Sequence, residues 1–403
     1  MKWVLRALIL TGLALAAAPA SASAAVELVT PGADAPSGAA SVSGSGRYVA
    51  FASEASTLVP GDANGASDVF VRDRLTGTTT RVSGGSGPSG APSVSGDGRI
   101  VAFVSRSPEL APGDVNGRGL DVYVYDRATG VTRRLTPGPG LYQSFDPSVS
   151  AQGGHVAFAA ERVQRGEEEG DLVEAGPRRV YVAVLSTGAI GRVSVSSKER
   201  LAKGESGAPS ISGDGRFVAF ESGAANLVPG DRNGKGDVFV RDRRRGTTTR
   251  ASVTSHEHGA SDNSDEPAVS SNGRHVAFTS RARDLAAGDD DHATDVYVRD
   301  LRRGRTRRVS RGSAGTSITG WATAPSISAD GDLVAFQLSP TDLIEQGDGP
   351  VGQVMIRKRT ARATWVPHPR RSGFPALSGD GRTVAFASAR TGGAEIYTDG
   401  PLR

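Results

Sequence analysis

The chain alternates short apolar segments with polar, glycine-rich turns, and one such unit recurs along it. In the fourth copy, four segments have the pattern of strands: residues 208–212, 216–222, 237–243 and 247–253. Both faces of the second segment are apolar, which is typical of a strand whose sheet packs between two neighbouring sheets. The glycines on either side of Asp214 supply the backbone freedom that a tight hairpin needs. The unit therefore predicts a four-stranded antiparallel sheet.

The unit occurs seven times, and each copy is marked by the triplet Val-Ala-Phe. Successive copies are 50 to 62 residues apart, a period typical of propeller blades. The seventh copy lacks a fourth strand, whereas a strand-like segment at residues 26–30 precedes the first copy. Pairing of this segment with residues 394–399 would close the ring and remove exposed sheet edges. We therefore predict an all-β fold, a seven-bladed β-propeller of four-stranded antiparallel blades closed by the N-terminal strand, with six or eight blades as alternatives.

The repeated text "PSxSGDGRxVAFxS", followed by "DVFVRDRxTGTTTRVS", resembles the WD-type repeat of the TolB-like β-propeller family. The resemblance covers essentially the whole chain after its first 24 residues and implies a propeller. It is limited to the propeller part, because the repeats leave no room for the additional N-terminal domain of TolB. Propellers of this kind serve many roles, so the resemblance implies a fold more than a function.

The N-terminus has the order of a secretory signal. Lys2 and Arg6 precede an apolar run at residues 7–18, and small residues follow. We expect a signal peptide at residues 1–24 and a single propeller domain at residues 25–403, with a retained anchor as the alternative. The run is short for a membrane span, and no later stretch is long enough. The pattern predicts a bacterial protein that is secreted, periplasmic or in the cell envelope, without a membrane span after cleavage.

Composition narrows the function further. Cysteine is absent, so disulfides cannot supply stability and a large core must. The formal net charge is only +4, and two of these positive charges lie within the predicted signal, which argues against a nucleic-acid partner. We expect a monomer.

Four of the loops between second and third strands contain an Asp-rich motif that begins Asp-x-Asn-Gly or Asp-x-Asp. Oxygen ligands at alternate positions before a glycine are typical of calcium loops, although calcium needs about six to eight oxygens. The alternative is that these side chains make Asx turns and cap the third strands. No cofactor is required, and structural Ca²⁺ is the metal that the motif suggests. The candidate ligands are Asp62, Asn64, Asp68, Asp114, Asn116, Asp121, Asp231, Asn233, Asp237, Asp289, Asp291 and Asp295.

Two further groups are candidates for binding. His256 and His258 lie on a connection between blades that is rich in acidic residues, so they could bind a transition metal or act in acid/base chemistry. The alternative is a solvated polar loop. Tyr142, Phe145 and Trp321 lie on connections of the same predicted face and could stack on a sugar or anchor a peptide, with local packing as the alternative.

No complete catalytic motif is present. The chain has no Gly-x-Ser-x-Gly nucleophile elbow and no phosphate loop. The first hypothesis is therefore an exported, non-catalytic propeller scaffold that binds a protein or glycan partner through its loop-rich face. The alternative is a polysaccharide lyase or hydrolase with a metal-assisted site at the channel mouth, because some similar propellers carry such sites. A third hypothesis is a purely structural component of the cell surface or of a spore coat.

Overall fold

The computed structural model describes residues 26–136, 142–165, 172–289, 293–311, 320–339, 352–359, 364–365, 372–390, 393–400 and 402. Within them the regular structure is β-strand, apart from one short 3₁₀ helix at Pro108–Leu110. No helix of this part of the chain is long and apolar enough to cross a bilayer. The strands are β1 (Glu27–Leu28), β2 (Ser37–Val42), β3 (Tyr48–Ser53), β4 (Asp68–Asp73), β5 (Thr78–Arg81), β6 (Ser89–Val94), β7 (Ile100–Ser105), β8 (Asp121–Asp126), β9 (Val131–Leu135), β10 (Tyr142–Val149), β11 (His155–Arg165), β12 (Leu172–Glu174), β13 (Arg179–Val184), β14 (Ile190–Arg192), β15 (Ser206–Ile211), β16 (Phe217–Ser222), β17 (Asp237–Asp242), β18 (Thr247–Arg250), β19 (Ser264–Val269), β20 (His275–Ser280), β21 (Asp295–Asp300), β22 (Arg305–Arg308), β23 (Trp321–Ile327), β24 (Leu333–Ser339), β25 (Gln353–Lys358), β26 (Thr364–Trp365), β27 (Ser372–Leu377), β28 (Val384–Arg390) and β29 (Gly393–Asp399).

These strands form seven antiparallel sheets, which confirms the predicted seven-bladed propeller of four-stranded blades. In each blade the strands follow one another from the channel outward. Blade 3 differs from the prediction, because its long second strand β11 also pairs with the additional strand β12. From blade 1 to blade 7 the sheets are β2-β3-β4-β5, β6-β7-β8-β9, β10-β11-β13-β14, β15-β16-β17-β18, β19-β20-β21-β22, β23-β24-β25-β26 and β27-β28-β29-β1.

The core lies between neighbouring blades and is built mainly from the second and third strands. The phenylalanine of each Val-Ala-Phe triplet is fully buried. In six blades its ring stacks on an aromatic ring of the adjacent third strand, with centroids 5.7 to 6.1 Å apart. In blade 6 the cross-strand partner of Phe336 is Met355. Burial on both faces explains why the sequences of these strands are continuously apolar.

The N-terminal strand completes blade 7, as the sequence predicts. Leu28 pairs with Tyr397, and Val29 is fully buried in the core. Thr30 Oγ1 accepts a hydrogen bond from the N–H of Ile396 at 3.3 Å. In blade 1 the hydroxyl of Ser83 accepts the equivalent bond at the start of the third strand, at 2.7 Å. The N-terminal segment therefore reproduces the end of an ordinary outer strand.

A ring of seven backbone hydrogen bonds joins the first hairpins of successive blades. It runs from the Gly44–Gly96 pair through every blade and returns from Asp380 to Gly44. Glycine is needed here because a Cβ on Gly96 would lie 2.8 Å from the carbonyl oxygen of Ala151. The ring surrounds one end of the central channel, a cavity of about 540 Å³ lined mainly by Ser, Gly, Ala and aliphatic residues. We call this end the turn face.

The opposite end, the loop face, carries the longer connections within and between blades. Some outer strands end earlier here than the sequence predicts. In blade 4, β18 stops at Arg250 because Ser252 turns its hydroxyl inward, where it accepts the N–H of Val238 at 3.1 Å and bonds Asp237. The chain then crosses to blade 5.

Candidate functional site

Every innermost strand carries a β-bulge on the loop-face side of the channel. One residue of each bulge adopts a φ between 43° and 52°, a region that non-glycine residues seldom occupy. Four blades place alanine at this position, whereas the others place Asp146, Glu266 and Phe374. The bulge residues are Ala39, Ala91, Asp146, Ala208, Glu266, Ala324 and Phe374.

The N–H groups of several bulge residues bind side chains of the preceding blade. The N–H of Ala324 donates to Glu266 at 2.7 Å, and that of Glu266 donates to Glu221 at 3.4 Å. The N–H of Phe374 donates to the amide oxygen of Gln337 at 3.2 Å. Glu221 and Gln337 hold equivalent positions, directly after the Val-Ala-Phe triplet of their blades. These contacts fix a row of polar side chains across blades 4 to 7.

An acidic cavity of about 410 Å³ opens beside this row, between blades 3, 4 and 5. Among the described residues that line it, Arg178 is the one basic residue. Its Nε lies 3.4 Å from a carboxylate oxygen of Glu161, and its guanidinium lies over the ring of Phe145 at 4.4 Å. The acidic lining residues are Glu161, Glu174, Glu205, Glu221 and Asp265. Negative charge therefore exceeds positive charge in this cavity.

Confinement changes the ionisation of these acids. Asp146 and Glu266 are exposed, yet the surrounding protein reduces the hydration of their carboxylates, and this raises the pKa of both. Burial also raises the pKa of Glu161, Glu221 and Asp265. Backbone N–H donors and Arg178 oppose the shift at several of these groups. These carboxylates therefore gain protons at a higher pH than ordinary surface acids do.

The acids are spread along the wall. Among the residues that the structure describes, no three His, Asp or Glu side chains converge closely enough to hold a metal ion. The arrangement suits a ligand with more than one positive or polar group better than a single cation.

Exposed aromatic side chains lie on the other blades of the same end. Phe374 is 55% exposed at the bulge of blade 7, and Trp321 is 45% exposed at the start of the innermost strand of blade 6. Large apolar side chains of this kind are usually covered in a folded protein. We call the acidic cavity together with Asp146, Glu266, Trp321 and Phe374 the channel mouth.

The aromatic residues that the sequence singled out have different surroundings. Trp321 belongs to the channel mouth. Phe145 is half-buried beneath the guanidinium of Arg178, at the edge of the acidic cavity. Tyr142 is half-buried against the core between blades 2 and 3, and its carbonyl accepts a hydrogen bond from Asn116. These contacts are those of local packing, and a binding role for Tyr142 and Phe145 stays a prediction.

The predicted metal loops of blades 1, 2, 4 and 5 share one arrangement. In each, the guanidinium of an arginine from the outermost strand lies between the first Asp of the loop and the Asp that begins the third strand. In blade 5 the Nη1 atom of Arg308 lies 3.2 Å from Asp289 and 2.8 Å from Asp295. The other sets are Arg81 with Asp62 and Asp68, Arg134 with Asp114 and Asp121, and Arg250 with Asp231 and Asp237.

These arginines supply the positive charge that the paired carboxylates need. Two of the loop asparagines make Asx turns: Asn64 Oδ1 accepts the N–H of Ala66 at 3.0 Å, while its amide donates to Asp68 at 2.9 Å, and Asn233 repeats this pattern with Lys235 and Asp237. Asn116 instead donates to the carbonyl of Tyr142. The residues present thus fit buried ion pairs and Asx turns better than calcium ligation. Asp291 lies outside the described residues. Structural calcium stays a prediction.

Burial of the same clusters raises the pKa of Asp121 and of Asp295 to about 6, although the neighbouring arginines oppose the shift. Burial raises the pKa of Asp68 and Asp231 as well. These groups are shielded from the channel mouth, so they contribute to stability rather than to binding there.

His256 and His258 lie on an exposed turn at the outer strands of blade 5, away from the channel mouth. The intervening Glu257 bonds the guanidinium of Arg299, which also donates to the carbonyl of Thr254. The preceding connection has the same turn, in which Lys198 and Arg200 flank Glu199, and Glu199 bonds Arg241. The turn is therefore a repeated clamp between blades, and the two histidines occupy positions that also accept Lys and Arg.

The sequence analysis missed most of the channel mouth. Asp146, Glu266 and Phe374 each directly precede the proline of an innermost strand, at a position where most copies carry Ala. Glu221 occupies the variable position after its Val-Ala-Phe triplet. Comparing the copies column by column could have found these departures. Only the β-bulges of the structure show that these side chains lie around one mouth.

The fold recurs widely, but no family model and no curated protein matches the chain. An oligogalacturonate lyase in complex with manganese superposes with a TM-score of 0.60 at 13% identity, covering 95% of each chain. The oligogalacturonate lyase from Vibrio parahaemolyticus gives 0.57 at 12%, over 94% of this chain and 90% of its own. TolB from Acinetobacter baumannii gives 0.46 at 18%; the match covers 77% of this chain and only 62% of that one. At such identities the similarity to the two lyases supports the propeller fold alone.

Proposed function

We propose that the protein is an exported, non-catalytic propeller scaffold that binds a protein or glycan partner at its channel mouth. The observation that carries the proposal is the concentration of departures from the repeat at this mouth. Asp146, Glu266 and Phe374 occupy a backbone position that four other blades fill with Ala.

The bulge itself does not require these three residues, although the carboxylate of Glu266 also accepts the N–H of Ala324. A positive φ disfavours side chains beyond glycine, and the four blades with Ala form the same bulge. Like charges gathered at one mouth also cost stability through their mutual repulsion. Residues that break the rules of the repeat without a structural return are expected at functional sites.

The sequence-based alternative is a metal-assisted polysaccharide lyase or hydrolase. An oligogalacturonate lyase has the same fold, but the acidic cavity of this chain would repel a polyuronate. The described residues also lack a converging set of metal ligands. The geometry therefore favours binding over polysaccharide cleavage.

The remaining expectations belong to the same proposal. The protein acts as a monomer in the periplasm, the cell envelope or the extracellular space, after removal of residues 1–24. It requires no cofactor and has no nucleic-acid partner.

The test compares the wild-type protein with a variant whose mouth is converted to the repeat: Asp146→Ala, Glu266→Ala and Phe374→Ala. Glu54→Ala, at an exposed acid on the loop side of blade 1, is the matched control. Each is probed against arrays of glycans and of peptides. We expect binding by the wild type and the control, loss of binding by the triple variant, and similar melting temperatures for all.

Equal binding by the triple variant would place the binding surface elsewhere and contradict the proposal. In a parallel arm, wild-type protein is incubated with acidic polysaccharides with and without divalent metal. Release of shortened or unsaturated products, with loss of that activity in the triple variant, would favour the enzyme instead.

A further inference from the structure

We propose that the partner's binding element is an extended basic peptide segment, in which lysine or arginine side chains enter the acidic cavity and a bulky apolar side chain packs on Phe374 and Trp321. The inference rests on the proposed function and specifies the chemistry of its partner.

The charge of the mouth selects a cation. In the part of the chain that the structure describes, five carboxylates and one guanidinium line the acidic cavity, and Asp146 and Glu266 add two more acids beside it. Arg178 is already engaged by Glu161 and by the ring of Phe145. An anionic ligand would be repelled by this charge, and among the described residues the bulge N–H groups of Glu266, Ala324 and Phe374 are already bonded within the protein.

The opposite wall selects an apolar group. Trp321 in blade 6 and Phe374 in the adjacent blade 7 expose large aromatic surfaces. Glu266 of blade 5 accepts a hydrogen bond from the N–H of Ala324 in blade 6. This bond links the acidic side of the mouth in blade 5 to the innermost strand of blade 6, which begins with Trp321. A ligand that spans both must carry positive charge and apolar surface on one flexible chain.

A peptide meets these requirements better than the other classes of ligand. A single metal ion lacks three converging ligands among the described side chains. An acidic glycan is repelled, and a neutral glycan leaves the carboxylates without a countercharge. A second copy of this chain would have to bring a basic loop into a concave mouth. An extended segment places alternate side chains on two walls with little change of backbone.

The chain provides variants that isolate the charges. Glu221→Gln and Glu266→Gln keep a side-chain oxygen that can accept the N–H of Glu266 and of Ala324, so the bulges retain their bonds. Phe374→Ala installs the residue that four other blades carry at the same φ. Glu54→Gln is the charge-matched control outside the mouth.

The experiment is selection from a randomised peptide library displayed on beads, followed by titration of the selected peptides and of copies with Lys and Arg replaced by Glu. We expect selected sequences that combine Lys or Arg with Leu, Phe or Trp. The Glu221→Gln/Glu266→Gln variant should bind them about tenfold more weakly. Affinity should fall as salt rises, because the Debye length shortens to about 8 Å at physiological ionic strength. Phe374→Ala should weaken binding at every salt concentration, and Glu54→Gln should leave it unchanged.

The outcomes separate the two levels of the proposal. Selection of acidic or neutral peptides, or equal affinity of the double Gln variant, overturns the basic-peptide inference. If the mouth binds a glycan or a second copy instead, with loss in the Asp146→Ala/Glu266→Ala/Phe374→Ala variant, the inference fails and the scaffold function stands. Absence of mouth-dependent binding to any peptide or glycan overturns both.

Discussion

Arg308 offers the sharpest test of how the loop-face carboxylates are held. Its side chain is 1% exposed and lies between Asp289 and Asp295, whose side chains are almost as buried. Tyr297 adds a hydrogen bond to Asp289, and Ser310 adds one to Asp295. Replacing Arg308 by Met keeps much of the side-chain length but removes the charge. Breaking a buried ion pair by removing one partner costs about 3–5 kcal/mol, because the other charge is left uncompensated.

The expected loss depends on pH. Burial already raises the pKa of Asp295 to about 6, and removing the guanidinium takes away an interaction that lowers it. The folded variant therefore binds a proton more readily than the unfolded chain, so its deficit in stability shrinks as the pH falls. Chemical unfolding at pH 7.5 and pH 5.5 measures both values. Arg307→Met is the matched control, because Arg307 is exposed on the same strand. Equal stability of the Arg308 and Arg307 variants at pH 7.5 would refute the reasoning.

Three further perturbations test other parts of the account. Adding calcium or EDTA should leave the melting temperature of the wild-type protein unchanged, because arginines already neutralise the loop carboxylates; a rise with calcium would support the calcium hypothesis. Burial lowers the pKa of His275, so the folded protein resists its protonation and should lose stability as the pH falls below about 6.5. His275→Leu, with the residue that blade 6 carries at this position, should reduce the loss between pH 7.5 and 5.5, and an unchanged loss would contradict that role. Thr30→Val should cost about 1 kcal/mol through the lost bond to Ile396, and deletion of residues 26–30 should lower the melting temperature much further, since blade 7 loses its outer strand. A deletion variant that melts like the wild type would contradict ring closure.

The fold was predictable because each copy of the repeat carries its own strand and turn signals, and the same signals recur seven times. The missing fourth strand of the last copy and the additional segment at residues 26–30 predicted how the ring closes. The structure confirms this pairing through Leu28 and Tyr397. The additional strand β12 of blade 3 was not predicted, because none of the other copies carries such a strand in the residues that the structure describes.

The candidate site was less predictable, because its residues meet through contacts between blades. The Asp-rich loops resemble calcium loops. In blades 1, 2, 4 and 5, however, the arginine that lies between their carboxylates follows 13 residues after the Asp that begins the third strand. His256 and His258 follow a pattern that repeats in the preceding connection, a comparison that the sequence alone allowed. The bulge that brings Asp146, Glu266 and Phe374 to one mouth has no such local signal, since the same prolines follow Ala elsewhere.

Hydrogen–deuterium exchange of the wild-type protein, with and without a peptide from the library selection, tests the central claim most directly. Binding at the channel mouth predicts slower exchange at the loop-face ends of β10, β19, β23 and β27. The glycine-rich hairpins of the turn face should exchange as before. Protection confined to the turn face or to the outer strands would contradict the account.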